Sequence, residues 1–265
     1  MPRRALKPSP AEISGVVALL LALLLLLFNP VLALMPLLLF LLSCLVAPFL
    51  TGYGFFLPVI SRGCPGNNAV ALTFDDGPWP ASTPIILELL ARHQLVATFF
   101  VVGRQAARHP ELIAAIVDQG HSIGNHSLRH DSYLMLRTPK VLREDLHTTQ
   151  EILRKLGVIP LVFRPPAGIT NPRLKRVLAG ENLVTVTYSC RAMDGGNRYL
   201  DNLAAKILKR LRPGAIIMLH DLPPRQQERS LYWQQELDRL FAALPARYQV
   251  RPLEEIIGRP VMKRP

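Results

Sequence analysis

From Ile13 to Ser61 the chain carries no charged side chain, and no other feature restricts its folding more. A spanning helix needs about 20 apolar residues, so a run of this kind belongs in a bilayer. It reads as two pieces. Ile13 to Phe28 is almost pure Leu, Ala and Val; Asn29-Pro30 then interrupts as a turn pair does. Val31 to Leu50 continues for about a bilayer's width, with Pro36 and Pro48 as tolerated kinks. Arg3-Arg4 ahead of the first piece predicts a cytoplasmic N-terminus. If both pieces span, they form a hairpin and the rest of the chain returns to the cytoplasmic side, which is the expected arrangement. If only one spans, the rest lies outside. The stretch far exceeds the apolar core of a cleaved signal peptide.

The sequence divides accordingly into a basic tail (1–12), a membrane segment (13–57, with spans 13–28 and 31–50), a linker (58–67), a main domain (68–258) and a short tail (259–265). The formal charge is +12, and the first twelve residues supply +2 of it, leaving +10 for the remainder. A basic domain beside a membrane suits an anionic lipid surface or an acidic glycan. Nucleic acid is not an expected partner, because the basic residues are scattered along helices and form no recognised binding motif. Three cysteines, Cys44, Cys64 and Cys190, are too few for a disulfide framework; a Cys64–Cys190 bridge stays open beside inert buried thiols.

Past a loop rich in Gly and Pro (63–68), short apolar runs alternate with helical patterns. Strands are expected at 69–74, 97–102, 121–125, 161–164, 183–187, 215–219 and 248–251. Helices are expected from Ser82-Thr83 onward, at 110–119, 139–156, from Asn171-Pro172 to 179, and at 201–211 and 228–244. Near-continuous apolar strands alternating with helices predict a parallel α/β barrel-like domain. Catalytic groups in such barrels gather at the C-terminal ends of the strands.

The chemically capable residues fall there. Asp75 and Asp76 close the first run, and two adjacent carboxylates repel unless a cation offsets them. His126 and His130 follow the third run; an i, i+4 pair on one side of a helical turn can reach a single ion. With a strand-end carboxylate they make a set of one Asp and two His that leaves positions open for water and substrate. Arg164, in Arg-Pro-Pro-Ala-Gly, can pair with one of the two Asp and keep it ionised. His220, in Met-Leu-His-Asp, can serve as a general acid. His93, His109, His121 and His147 have no partner motif and read as surface or packing residues.

TFDDGP, HSLRH, RPPAG, a later Asp194 and LH, in this order, resemble the motifs of the polysaccharide deacetylases, the NodB-homology or carbohydrate esterase family 4 group. The resemblance runs from about 68 to 251. It implies a distorted (β/α)7 barrel, with Asp75 as base and Asp76, His126 and His130 as ligands of a divalent ion, usually Zn2+, with Co2+, Mn2+ or Ni2+ as alternatives. It further implies Arg164 holding Asp75, His220 as acid tuned by Asp194, an oxyanion contact from the Ala167 N–H, and Leu219 in the acyl pocket. The expected activity is deacylation of amino sugars in cell-wall or exported glycans, with a polyprenyl-phosphate-linked amino sugar at the membrane surface as the rival substrate. A catalytically silent glycan-binding protein is the third alternative. The expected location is the bacterial inner membrane, with membrane lipid as a partner. Two departures stand out: Ala167 and Gly195 occupy positions where the family usually carries an aromatic, which predicts an altered groove.

Overall fold

The computed structural model describes residues 7–63 and 68–264. Arg3, Arg4 and Cys64, used in the readings above, lie outside the described residues. Two apolar helices, α1 (Pro10–Leu26) and α2 (Pro30–Val46), pack against each other; Gly15 lets the Phe40 ring approach so closely that a Cβ would lie 3.0 Å from its Cζ. Asn29 caps α2 through its side chain and Pro30 opens it, so the pair read as a turn performs both functions. With a short turn added, Pro30–Phe49 is 20 residues of mean hydropathy 2.5, long and apolar enough to cross a membrane. α1 has 17 residues and is shorter than a typical span. The start of α1 is tied to the remainder: Ala11 N–H donates to Phe55 O at 2.9 Å, and Lys175 Nζ reaches Glu12 at 2.9 Å.

The α/β part begins with β1 (Val59–Ile60), β2 (Ala69–Asp75), α3 (Thr83–Arg92), β3 (Ala97–Val101), α4 (Gly103–Arg108), α5 (Pro110–Asp118) and β4 (Ser122–Asn125). It continues with α6 (Pro139–Lys155), β5 (Ile159–Pro160), β6 (Val162–Phe163), α7 (Leu174–Gly180), β7 (Val184–Val186) and β8 (Cys190–Arg191). It ends with α8 (Leu203–Arg210), β9 (Ile216–His220), α9 (Ser230–Ala243), β10 (Gln249–Val250), α10 (Leu253–Ile257) and β11 (Met262–Lys263). The main sheet runs β1-β7-β6-β4-β3-β2-β9-β8, parallel throughout, with β10 also on β2. It is a curled half-barrel, where the resemblance implied a distorted barrel of seven βα units.

Two stretches expected to be irregular are built in. Val59–Ile60, read as linker, pairs with β7 at the sheet edge, and Met262–Lys263, read as tail, pairs antiparallel with β5. Pairs of residues this short give no periodic signal; only the partner strand makes them strands. The helix expected from Ser82-Thr83 onward begins at Thr83 with Ser82 at its N-cap position; the Ser82 hydroxyl makes no cap hydrogen bond and is used elsewhere.

The core between sheet and helices centres on Phe74, Phe99 and Phe241. Phe74 stacks on Phe99 at 5.1 Å and meets Phe241 edge-on at 6.4 Å. Alternation along β2 sends Phe74 into this core and leaves Asp75 on the opposite face at the C-terminal end. Phe99→Ala removes the ring joining β3 to β2 and is expected to destabilise the protein by about 3–5 kcal/mol, read by chemical denaturation in detergent.

Candidate active site

Four strands deliver the chemistry to one rim. Asp75 ends β2 and His220 ends β9, and their Cα atoms are register partners. His126 follows β4 and Arg164 follows β6. They open into a cleft of about 600 Å3 whose wall also includes Asp76, His130, Ala167 and Asp194.

Arg164 is almost fully buried, and every branch of its guanidinium is assigned. Nη1 donates to Asp75 Oδ1 at 2.6 Å and to Thr73 Oγ1 at 2.8 Å; Nε and Nη2 donate to the carbonyls of Val186 and Thr187. The plane lies 3.9 Å over the Phe100 ring. One oxygen of Asp75 is thereby fixed and the carboxylate aimed.

Asp76 has a left-handed backbone (φ 77°), which turns its carboxylate away from the strand and toward the two imidazoles. Its Oδ1 lies 3.3 Å from His126 Nε2 and 3.1 Å from His130 Nε2, and these three atoms are all within 4.8 Å of one another. His126 Nδ1 is 2.7 Å from the Arg164 carbonyl, which can only accept; Nδ1 therefore donates its proton there, and Nε2 is the ring atom turned toward the Asp76 carboxylate. Burial works against the charge on Asp76, but the two imidazoles hold its carboxyl well below the usual carboxylate range. Asp76 Oδ1 is buried without a hydrogen-bond partner. A carboxylate oxygen without a hydrogen-bond partner, 3.3 and 3.1 Å from the Nε2 atoms of two imidazoles, is a donor set that fits a divalent ion with open positions.

The expected helical turn at His126–His130 does not form. Ser127 (φ 70°) and His130 (φ 53°) are left-handed, and Asn125 Oδ1 accepts the Ser127 N–H at 2.8 Å to hold the loop. The rings still converge, with centroids 5.0 Å apart.

His220 Nδ1 lies 2.9 Å from Asp194 Oδ2. Burial alone would lower its pKa, but the Asp194 hydrogen bond and charge, with Asp76 and Asp75 nearby, raise it to about 9. His220 is thus protonated at neutral pH. Leu219 does not join the site: it points into the sheet–helix core, while alternation puts Met218 in the cleft wall. Ala167 does reach the wall, in a left-handed conformation (φ 56°). The four remaining histidines lie away from the cleft; His93 pairs with Asp238 at 2.8 Å, and buried His121 packs on Phe99.

Several cleft residues were not singled out from the sequence. Trp79 and Tyr188 line the wall, so aromatics are present although Ala167 and Gly195 supply none. Asp221 is fully buried; Ser82 and Thr83 hydroxyls donate to its two oxygens, each at 2.6 Å, and its N–H donates to Asp75 O at 2.7 Å. Burial pushes its carboxyl up to about 7, against those two hydrogen bonds. Gly77 is required beside it, since a Cβ there would lie 2.0 Å from Asp221 Oδ2. Asn197 holds the His220 and Leu222 carbonyls. The adjacency of Asp221 to His220 was the one available signal; the others depend on tertiary placement.

Comparisons with known proteins bear on the family and the fold. A family model described as Polysaccharide deacetylase matches residues 62–186. A chitooligosaccharide deacetylase from Bradyrhizobium sp. (strain ANU 289) is 36% identical over 167 residues, covering 62% of this chain and 76% of that protein. The solved Bc1960 peptidoglycan N-acetylglucosamine deacetylase superposes with a TM-score of 0.70 at 28% identity, covering 77% of this chain and 94% of that one. BA3943, a CE4 family pseudoenzyme from Bacillus anthracis, superposes with a TM-score of 0.66 at 25% identity, covering 75% and 68%.

The raised pKa of His220 gives a test with a definite sign. Stabilisation from its pairing with Asp194 is complete below the ordinary value of 6.5 and is lost as pH rises through about 9. In Asp194→Asn the burial penalty is opposed only by the more distant charges of Asp76 and Asp75, so the ring should titrate clearly below about 9. Imidazole NMR titration reads this directly; an unchanged alkaline pKa in the variant would refute the pairing.

Proposed function

This chain belongs to the polysaccharide deacetylase family and is a hydrolase of the amide that joins an acyl group to an amino sugar; we propose that Asp75, His220 and the Asp76–His126–His130 set carry that reaction. The orphaned Asp76 Oδ1 between two imidazoles is the observation that carries the reading. The pseudoenzyme among its structural neighbours warns that the fold alone does not guarantee activity. Here the proposed base, acid and ligand set stand together on one rim, which supports an active enzyme.

Asp76, His126 and His130 would hold a divalent ion, and two imidazole nitrogens with one carboxylate oxygen favour Zn2+. Such an ion, when bound, supplies Lewis acidity toward the acyl carbonyl and acidifies water. Asp75, with one oxygen fixed by Arg164, takes the proton of the attacking water on its other oxygen. Ala167 contributes its N–H toward the oxygen on which negative charge develops. His220, charged at neutral pH, gives its proton to the departing nitrogen. The C–N bond breaks, a C–O bond forms, and a carboxylic acid and a free sugar amine leave.

The primary substrate class is N-acylated (acetylated) amino sugar in cell-wall or exported glycan. A specific observation favours a membrane-surface, lipid-linked sugar as a second reading. Thr51, which directly follows the apolar run at Leu50, touches the cleft loop: its Cγ2 would lie 2.6 Å from a Cβ on Gly168, and its carbonyl accepts from Thr187 Oγ1 at 2.7 Å. If α1 and α2 sit in a bilayer as a hairpin, the cleft opens beside the headgroups. That topology also places the domain on the same side as the N-terminus.

Asp75→Asn should cut turnover by about 10²–10⁴-fold while metal content, read by elemental analysis, stays unchanged. His130→Ala should lose the metal as well as activity. Retained turnover in Asp75→Asn would remove the assigned mechanism. For topology, a thiol-reactive probe that cannot cross membranes should fail to label an engineered Leu231→Cys from outside intact cells; labelling would discard the hairpin.

A further inference from the structure

Beside the cleft lies a second cavity of about 300 Å3 that shares Asp76, Trp79, His130 and Leu222 with it and is otherwise walled largely by arginine. Arg104 and Arg108 come from α4, one turn apart, and Arg129 from the loop between the two metal-site histidines. The two segments are bound together: Gly103 N–H donates to Ser127 O and Arg104 N–H to Leu128 O, each at 2.9 Å. Asp76 is the one acidic residue in the wall, and its Oδ1 faces the two imidazoles. Arg129 feels Asp145 only as a nearby charge.

Gln105 supplies an independent indication. It is only 5% exposed and lines the same cavity. Its Oε1 accepts from Arg108 Nη1 at 3.4 Å, so the amide is oriented with Nε2 as a donor, and that Nε2 is buried with no hydrogen-bond partner. A buried donor lacking an acceptor is unfavourable, and three exposed guanidiniums with a single carboxylate in the wall leave this face strongly positive. One ligand relieves both: an oxyanion with several acceptor oxygens and more than a single charge's worth of attraction. Phosphate has this character, and guanidinium forks match its oxygens.

We propose that this cavity is a subsite for a phosphate group on the substrate, seated next to the amino sugar whose amide is cleaved. The proposal rests on the reading of the neighbouring cleft as the deacylation site. It makes the preferred substrate a phosphorylated N-acyl amino sugar, free or attached through that phosphate to a lipid. The reaction is unchanged; the phosphate binds and orients.

Two measurements on the full-length protein in detergent test it. First, titration calorimetry of the metal-free protein with pyrophosphate reads the subsite without catalysis. Binding should weaken at least tenfold in the double variant Arg104→Gln/Arg108→Gln, with an unchanged melting temperature; equal binding in both proteins would overturn the proposal. Gln105→Glu, which places a negative charge in the cavity, should weaken binding similarly and guards against misfolding of the double variant. Second, the metal-loaded enzyme should deacetylate N-acetylglucosamine 1-phosphate or its prenyl-phosphate-linked form at least tenfold more efficiently than a neutral chito-oligosaccharide. The double variant should lose that preference while its rate on the neutral substrate stays within about twofold. No preference in the wild-type enzyme overturns the subsite. Absence of activity on every acylated sugar instead overturns the deacylase reading, and pyrophosphate binding then still decides the subsite. A preference confined to the prenyl-linked form assigns the phosphate to a lipid; equal preference assigns it to a soluble sugar phosphate.

Discussion

The buried pair of Arg164 and Asp75 is the interaction on which the site is built. Their side chains are 1% and 7% exposed, so neither charge is stabilised by water. Removing one partner of such a pair typically costs about 3–5 kcal/mol, because the other charge is left uncompensated. Arg164 avoids that cost by using its whole fork: Asp75 and Thr73 on β2, the Val186 and Thr187 carbonyls at the end of β7, and the Phe100 face on β3. Its own carbonyl fixes the His126 tautomer. A single residue thus aims the proposed base and orients a proposed metal ligand. An error in its placement would displace both, and among the described residues it is the most buried arginine.

Much of this was legible in sequence because strand ends are. Apolar runs of β2, β3 and β9 carry strong signals, and once they are parallel strands the residues just beyond them must meet at one end. That logic brought Asp75, Asp76, His126, Arg164 and His220 together without any coordinates. It failed where position depends on a partner. Leu219 and Met218 are neighbours in a strand, and only the sheet's actual faces decide which one meets the cleft. The His126–His130 spacing resembled a helical turn, yet two left-handed residues make it a loop. Asp221 was invisible as a structural hub because its partners, Ser82 and Thr83, lie on a different βα unit.

Backbone strain is concentrated where the chemistry is. Asp76, Ser127, His130, Ala167 and Met193 all have positive φ without being glycine, and all belong to loops at the strand ends. Each such residue costs on the order of 1–3 kcal/mol and persists only if its surroundings over-determine it. The hydrogen bonds meet that requirement. Trp79 Nε1 donates to the Asp76 carbonyl at 3.1 Å, and Ser127 Oγ accepts the His130 N–H at 3.1 Å. Asp221 anchors the far side of the Asp75–Asp76 loop through Thr83, whose Oγ1 also accepts the Trp79 N–H. The loops are therefore rigid arcs set on a rigid sheet, which is what a reaction that depends on sub-ångström placement needs.

The same rigidity ties the site to the apolar helices. Thr51 follows α2 and its short terminal turn, and it rests on Gly168, whose lack of a side chain makes the contact feasible. The cleft wall and the foot of the helical hairpin are thus one packed unit, not two bodies joined by a tether. The cationic side chains Arg191, Arg198 and Arg225 on the cleft, with Arg104, Arg108 and Arg129 beside it, give this face a field that attracts anions. On the membrane reading, a substrate would meet that field at a fixed height above the bilayer. A long, mobile polymer gains little from a fixed height, because it can present any of its residues at any angle. A short sugar held by a charged headgroup gains the full effect, since its reach and its charge are both set. On that reading the fixed height and the cationic face together favour the second of the two proposed substrates.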